Sequence, residues 1–399
     1  MSFTETTRTS WFSRLKSGVA KIFIGFLFVI VALVALFWNE GRSVKTYRAL
    51  AEGASIVVAV DSGAVDGANE GKLVHISGKA TPVGTPQDQT FGIEADGAAR
   101  LSRKVEMFQW VEKSQSETKK TLGGGEETVT TYSYNREWKN SHVNSSDFRE
   151  QAGHDNPQLP VEDESFTVPS GTVGAFSIDG DALANVGQRT AVSISPQQAQ
   201  QIGGALGGRN AISQAGTVLV SNSPQNPQIG DLKISYTRSD VREASIVGAQ
   251  RSATLVPYKA SNGRDLFLTA GSMQSAPEMF ETAQSENTVI TWVIRVAGLF
   301  GLFIGFALMF SLLGIIADVI PFVGSMVSFG TTLIALVLTL IIGPLVIAIA
   351  WFAYRPLLAI SVLGVGVLLA VAILYLKRGK AAVTPPAGGN SGFGRGAAS

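Results

Sequence analysis

From Val289 to Leu376 the chain is almost continuously apolar, and only Arg295, Asp318 and Arg355 bring charge into that stretch. No other feature constrains the fold as strongly. A hydrocarbon core ~30 Å thick takes about 20 helical residues to cross, so the block has room for three passages. The pattern predicts an amphipathic helix that starts at 275 and continues into a span ending at 313, a further span over 330–353 and another over 356–376. Residues 314–329 are apolar but interrupted by Asp318 and Pro321. They are expected to form a loop at the cytoplasmic face, with a re-entrant piece as the alternative.

Near the other end, Ile22–Trp38 is an uninterrupted apolar run preceded by Arg8, Arg14, Lys16 and Lys21. It is long for a signal-peptide core, and Trp38-Asn39-Glu40 is a poor cleavage site. The reading is a retained transmembrane helix over 19–38 with Trp38 at the interface. Basic residues flank both ends of the membrane set, since Lys377, Arg378 and Lys380 follow the last span. Positive charge favours the cytoplasmic side, so both termini are expected there, which requires an even number of crossings. The expected fold class is therefore an integral membrane protein with four transmembrane α-helices, one N-terminal and three C-terminal, plus a large β-rich extracytoplasmic domain. Residues 1–18 are then a cytoplasmic tail, 39–274 the extracytoplasmic domain, and 377–399 a basic and then disordered tail.

Charge follows the same division. Residues 39–288 hold 22 Lys+Arg against 29 Asp+Glu, or 22 − 29 = −7, while the remainder holds 10 against 2, or +8. An acidic soluble part argues against nucleic acid as a partner, because phosphate contacts need a positive patch. The chain has no cysteine, which removes disulfides, thiolate zinc sites and cysteine nucleophiles together.

Within 39–274 the signals are those of strands: Ile56–Val60, Leu73–Ser77, Leu101–Glu112, Thr128–Trp138, Thr172–Ile178, Thr217–Val220, Leu232–Thr237 and Leu266–Ala270, separated by Gly, Asn, Asp and Pro. Gly123, Gly124 and Gly125 mark the bend of a long hairpin. A register centred on Gly124 sets Trp110 opposite Trp138, with Tyr132 and Tyr134 on the same face. These aromatics read as a cross-strand core cluster; the alternative is a ligand-stacking platform, which normally comes with basic neighbours. Ser195-Pro196 opens a short helix, and Ser275 with Glu278 forms a capping box at the head of the second membrane helix.

Several motifs in order carry a resemblance. Phe37-Trp38-Asn39-Glu40-Gly41-Arg42, the Gly71–Gly78 and Leu101–Glu112 stretches, Asn226-Pro227 with Ile229-Gly230-Asp231, and Leu255–Tyr258 are followed by Glu278-Met279-Phe280, Thr291-Trp292 with Arg295, and Trp351–Leu357 including Tyr354-Arg355-Pro356. Together they resemble the transmembrane protein 43 family, also called LUMA. The likeness runs through the chain apart from the tail, the glycine-rich bend and Leu183–Thr217. It implies one N-terminal span, a large luminal domain and a C-terminal membrane block. In eukaryotes such proteins sit in the endoplasmic reticulum and inner nuclear membrane, self-associate, and contact lamins and emerin. The absence of cysteine points to a bacterial member, whose home would be the inner membrane with the domain in the periplasm. What carries over there is oligomeric membrane organisation.

The chemistry-bearing residues are few. His75, His142 and His154 are the only histidines, and none sits in a zinc-protease motif. No catalytic, cofactor-binding or metal-ligating set is expected. The charges at the membrane face are more informative. Glu40 and Arg42 lie at the outer end of the first span, Arg295 is inside the second, and Arg355 lies between the last two. Either Glu40 pairs with Arg295 or Arg355 and locks the helices together, or each group snorkels to the headgroups. Asp318 falls on the opposite face, where it would meet a cytoplasmic partner or cap a helix. Gly298, Gly301 and Gly305 form a small-residue stripe suited to close helix packing, within the bundle or between copies, and Pro344 should kink its helix. The expectation is an oligomeric, non-enzymatic membrane scaffold whose partners are copies of itself, lipids, and membrane or periplasmic proteins. The alternative is a membrane-bound enzyme or lipid-handling protein with a site between the β-rich domain and the outer bilayer face.

Overall fold

The computed structural model describes residues 2–357 and, beyond them, 360–361, 364–366, 368 and 371. In chain order the elements are β1 (Ser2–Thr9), α1 (Trp11–Ile56), β2 (Val58–Ala59), β3 (Leu73–Val83), β4 (Gln87–Asp88), β5 (Ile93–Glu94), β6 (Ala98–Lys120) and β7 (Glu126–Lys139). Next come β8 (Glu164–Thr167), β9 (Ser170–Val173), β10 (Phe176–Asp179), α2 (Gly180–Val186), β11 (Gln188–Ala191), α3 (Pro196–Ala205), β12 (Ala211–Gln214) and β13 (Thr217–Val220). The last are β14 (Leu232–Asp240), β15 (Glu243–Arg251), β16 (Thr254–Val256), β17 (Tyr258–Lys259), β18 (Asp265–Leu266), β19 (Leu268–Ala270), α4 (Ala276–Ala317) and α5 (Pro321–Tyr354).

Among the described residues, α1, α4 and α5 are the helices long and apolar enough to cross a membrane. Each starts on a local signal. Ser10 accepts the amide of Ser13 ahead of α1, Ser275 and Glu278 form the capping box ahead of α4, and Pro321 stands in the first turn of α5, where a missing N–H costs nothing. The expected fourth span, 356–376, falls largely outside the described residues, as does the tail 377–399; the described positions 356, 357, 360, 361, 364–366, 368 and 371 are helical.

The strands build two sheets. In the first the order is β1-β7-β6-β14-β13-β12, with β8 also on β6 and β11 on β14. Its core is Leu101, Val105 and Met107 of β6, Val218 and Val220 of β13, and Leu232, Ile234 and Tyr236 of β14, covered by Ile202 of α3 and Phe91 and Ile93. Buried Asp88 accepts from Arg103 at 2.5 Å and from the Tyr236 hydroxyl at 2.7 Å, tying the β4–β5 hairpin over that core. In the second sheet the pairings close a circuit, β3–β15–β16–β10–β9–β3. Val74, Ile76, Val173, Phe176, Ile178 and Ile246 fill it.

The outer face of this circuit rests on the helices. Leu73 and Val247 pack with Ala49 and Leu50 of α1, Met279 and Phe280 of α4, and Leu266. Both helices therefore run unbroken from the membrane segments into the core of the β-rich domain. This extends α1 well beyond the expected end at 38, because Asn39–Ile56 holds no proline and its Ala49-Leu50 pair finds an apolar surface to cover.

Three other expectations are corrected. Residues 314–329 are not a loop: α4 reaches Ala317 and α5 begins at Pro321, so the connection is Asp318–Ile320. Residues 1–18 are not a free tail, because Ser2–Thr9 pairs antiparallel with Ser133–Glu126 of β7. The hairpin register also shifts by two. Lys120 stands opposite Glu126, so Trp110 faces Arg136 and Phe108 faces Trp138. The bend itself sets this, since Thr121 donates to the Gly125 carbonyl at 2.9 Å while Gly123 and Gly124 take left-handed φ of 86° and 81°.

Phe280 fills the junction between helix and sheet. Phe280→Ala should cost about 3–5 kcal/mol and loosen the domain from α4, read as a lower melting temperature in detergent with faster proteolysis around residues 266–280.

Candidate functional site

Three distant segments converge where the helices enter the β-rich domain. Glu40, 1% exposed on α1, accepts from Arg295 of α4 through both carboxylate oxygens, at 2.6 and 2.9 Å, and from the Trp351 indole of α5 at 3.0 Å. The Arg295 guanidinium lies over the Trp292 ring at 4.9 Å and nears Trp351 at 6.0 Å. Of the two partners weighed for Glu40, Arg295 is the one used. Arg355 instead stands 5.8 Å above the Tyr47 ring, and Arg48 donates to the Tyr354 carbonyl at 2.9 Å.

A second layer sits one turn toward the domain. Arg42 donates to Asn39, Asn287 and Thr291. Asn39 donates to the Thr291 carbonyl at 3.0 Å, and Asn287 to the Ser43 carbonyl at 3.1 Å. Side-chain amides thus cross-link the two backbones in both directions. Gly41 lets the α5 end close in, since a Cβ there would lie 2.7 Å from the Tyr354 ring.

The opposite end of the bundle carries a second cluster. Asp318, 1% exposed in the α4–α5 turn, meets Arg14 at 2.5 Å and Lys120 at 2.6 Å. Arg14 also pairs with Glu126 at 2.8 Å and donates to the Gly124 carbonyl at 2.5 Å. Trp11 donates to the Ile315 carbonyl at 2.9 Å and packs its ring on Gly124, where a Cβ would come within 2.4 Å. The tip of the β6–β7 hairpin is therefore bolted to the end of the bundle remote from the rest of its domain. Asp318 does lie opposite Glu40, as expected, but its partners are within the chain. The sequence marked Arg14 only as a charge flanking the first span and did not point to Lys120 or Glu126; the available signal was that a lone carboxylate between two membrane helices requires a cation.

Between the clusters, small residues let α1 and α4 touch. A Cβ on Gly298 would meet Leu36 at 2.6 Å, one on Gly305 would meet Val29 at 2.7 Å, and one on Gly25 would strike the Gly305 carbonyl at 2.6 Å. Gly301 faces Ala32 more loosely, at 3.3 Å. The stripe serves packing inside the bundle. Pro344 lies inside α5, next to Gly343, which faces Leu299.

The hairpin aromatics do not act as one cluster. His154 stacks on Tyr134 at 4.1 Å and meets Trp110 edge-on at 4.7 Å, Tyr132 pairs with Phe3 at 6.1 Å, and Trp138 lies against Phe108 at 5.1 Å. Basic neighbours are present after all, with Arg136 over Trp110 at 5.6 Å and Lys233 over Trp138 at 4.1 Å. Elsewhere, His75 and Ser77 bind the Gln274 carbonyl at 2.9 and 3.1 Å, and Ser245 receives the Gln274 amide. That network holds the segment leading into α4, and no carboxylate enters it.

The arrangement is that of a multi-pass membrane protein whose β-rich domain is mounted on its own membrane helices. The chain belongs to the transmembrane protein 43 family: the family model described as Transmembrane protein 43 matches residues 107–356. It is 30% identical to Transmembrane protein 43 of Mus musculus over 368 residues, covering 89% of this chain and 90% of that protein. It is likewise 30% identical to the Homo sapiens protein over 371 residues, 90% of each. With the Drosophila melanogaster homolog it shares 28% over 380 residues, 92% of this chain and 95% of that one. No solved structure matches.

Two outcomes follow. Glu40→Gln leaves Arg295 without its counter-charge and should cost about 3 kcal/mol; in detergent melting, Glu40→Gln with Arg295→Gln should lose less than the two single losses combined. His75 holds its proton less readily than an ordinary histidine, because burial disfavours the charged ring more than the Gln274 carbonyl favours it. The unfolded chain then takes up a proton that the folded one refuses, so stability is full above the ordinary histidine value of 6.5 and declines as pH falls below it. Melting at stepped pH should show this decline, and His75→Gln should flatten it.

Proposed function

We propose that the protein is an oligomeric membrane scaffold, built to hold its β-rich domain at a fixed height and angle over the bilayer and to gather lipids and membrane or periplasmic proteins around it. The observation that carries this reading is the double mounting of the domain. Its circuit of strands rides on α1 and α4, which do not break between membrane and domain, while its long hairpin is fastened to the far end of the same helices. The charged and amide groups of the motif segments are spent on each other. Such groups fix geometry rather than turn over a substrate. Positive charge flanking the spans supports cytoplasmic termini and an extracytoplasmic domain whose β6–β7 hairpin alone reaches back to the end of the bundle that carries the N-terminus, in a bacterial inner membrane or in the endoplasmic reticulum and inner nuclear membrane.

A second reading, a lipid-handling or enzymatic site, draws on one cleft at the same junction. It measures about 220 Å³ and is lined by Arg42, Thr46, Arg264, Asp265, Glu286 and Asn287. Arg264, which makes no side-chain hydrogen bond or ion pair among the described residues, suits a phosphate headgroup there.

The test is the mass of the detergent-extracted particle by light scattering, corrected for bound detergent. A discrete oligomer is expected. A clean monomer overturns the scaffold and directs attention to lipid extracted with the protein.

A further inference from the structure

The β6–β7 hairpin stands where a soluble hairpin should not. Its base lies in the first sheet, where β6 leaves β14 at Met107. Its tip is held by Asp318, Arg14 and the Val319 carbonyl at the other end of the bundle. From Met107 to Lys120 an extended strand covers about 43 Å, and from Arg14 to Glu40 the helix α1 covers about 39 Å. The apolar run of α1 lies between those two marks, and a hydrocarbon core is ~30 Å thick. The ribbon of β6 and β7 therefore passes the full height of the membrane segments, with β1 alongside its tip half.

Apart from exposed Phe3 and the tip residue Leu122, the ribbon does not suit lipid. Lys113–Lys120 reads KSQSETKK and is exposed throughout, β1 reads SFTETTRT, and the facing part of β7 reads EETVTTYS. Both faces are polar. Both edges are also open toward the tip: β1 pairs with β7 alone, and on the side of β6 away from β7 the backbone of Phe108 is bonded to Gly230 and Asp231 and that of Trp110 to the Asn156 side chain, while no described strand joins β6 beyond Trp110. In hydrocarbon each unpaired backbone group costs several kcal/mol, so irregular or open-edged strands occur at that depth only against protein or water.

The two open edges match each other. Because β7 is antiparallel to both neighbours, β1 and β6 run in the same direction, toward the tip. Copies arranged around an axis normal to the bilayer bring β1 of one beside β6 of the next, a heterologous contact that closes into a ring. A stagger of two residues, of the kind that closed sheets require, sets Arg8 beside the next copy's Glu117 on the same face. Arg8 already pairs with Glu127 of its own chain at 3.3 Å, but its side chain is 80% exposed and can share a second carboxylate; Glu117 forms no ion pair within the described residues.

We propose that copies of this chain assemble through these edges, β1 of each pairing in parallel with β6 of the next, so that the ribbons surround or line a water-filled interior screened from lipid by the helices. The proposal rests on the self-association reading and names its interface.

The chain contains no cysteine, so introduced thiols report alone. In full-length protein in its membrane, Thr6→Cys is combined in turn with Lys113→Cys, Gln115→Cys or Glu117→Cys, keeping variants that retain the wild-type melting temperature. Within one chain these positions are separated by β7, about two strand spacings or 9–10 Å, too far for a disulfide. Oxidation should give a ladder at whole multiples of the chain mass for at least one combination and none for the single variants. A discrete oligomer by light scattering with no ladder from any combination overturns the edge assignment while leaving self-association standing; a monomer overturns both. Adducts at masses other than whole multiples assign the edge to a different protein and also overturn it. For the interior, Ser116→Cys should react with a membrane-impermeant maleimide in opened vesicles, whereas Val31→Cys on the outer surface of α1 should not. An unreactive Ser116→Cys removes the water.

Discussion

A carboxylate at the membrane boundary is tolerable only if it is answered, and Glu40 is answered completely. Two guanidinium donors from α4 and an indole donor from α5 reach its two oxygens. Removing either charge leaves the other stranded at low dielectric, which is what makes such a pair a lock on geometry even where its net contribution to stability is small. Everything on the domain side depends on that lock. Because α1 and α4 continue without a break into the apolar junction at Ala49, Leu50, Met279 and Phe280, a helix pair held in register at Glu40 also holds the strand circuit in register.

The remote end repeats the device with different parts. Asp318 is the lone anion between α4 and α5, and its cations come from the head of α1 and from the hairpin tip. Gly324 makes this possible, since a Cβ there would overlap the Asp318 carboxylate at 1.8 Å. Between the two ends the helices meet through glycine, which lets backbones approach closely enough for dispersion to hold them where lipid offers no hydrophobic drive. A bundle closed at both ends by buried ion pairs and packed on glycine between them is a stiff post. That stiffness is the physical content of the scaffold reading.

The ribbon sets the other constraint. Its Thr, Ser, Glu and Lys side chains favour water, whereas the helices beside it favour lipid, and the proposed assembly would meet both demands. The polar pattern becomes sensible once neighbouring copies or enclosed water cover it.

Periodicity and charge in the sequence were enough to locate the membrane helices α1, α4 and α5, the capping box at Ser275, the hairpin, and the common membrane face of Glu40, Arg295 and Arg355, while the structure decided that Glu40 pairs with Arg295 rather than snorkelling. These are local or one-dimensional properties: hydropathy over about 20 residues, a cap three residues long, charge at equal depth. The strand β15 escaped because its Glu243–Arg251 sequence carries no alternation, being buried on both faces and flanked within the sheet by β3 on one edge and β16 and β19 on the other. The continuation of α1 past Trp38 escaped because Asn39–Ile56 is polar enough to pass for loop until its apolar stripe finds the sheet. The partners of Asp318 and the pairing of Ser2–Thr9 with β7 were beyond reach for a different reason. They join residues more than a hundred positions apart, and only the packed chain decides which distant groups a buried charge or an open strand edge will meet.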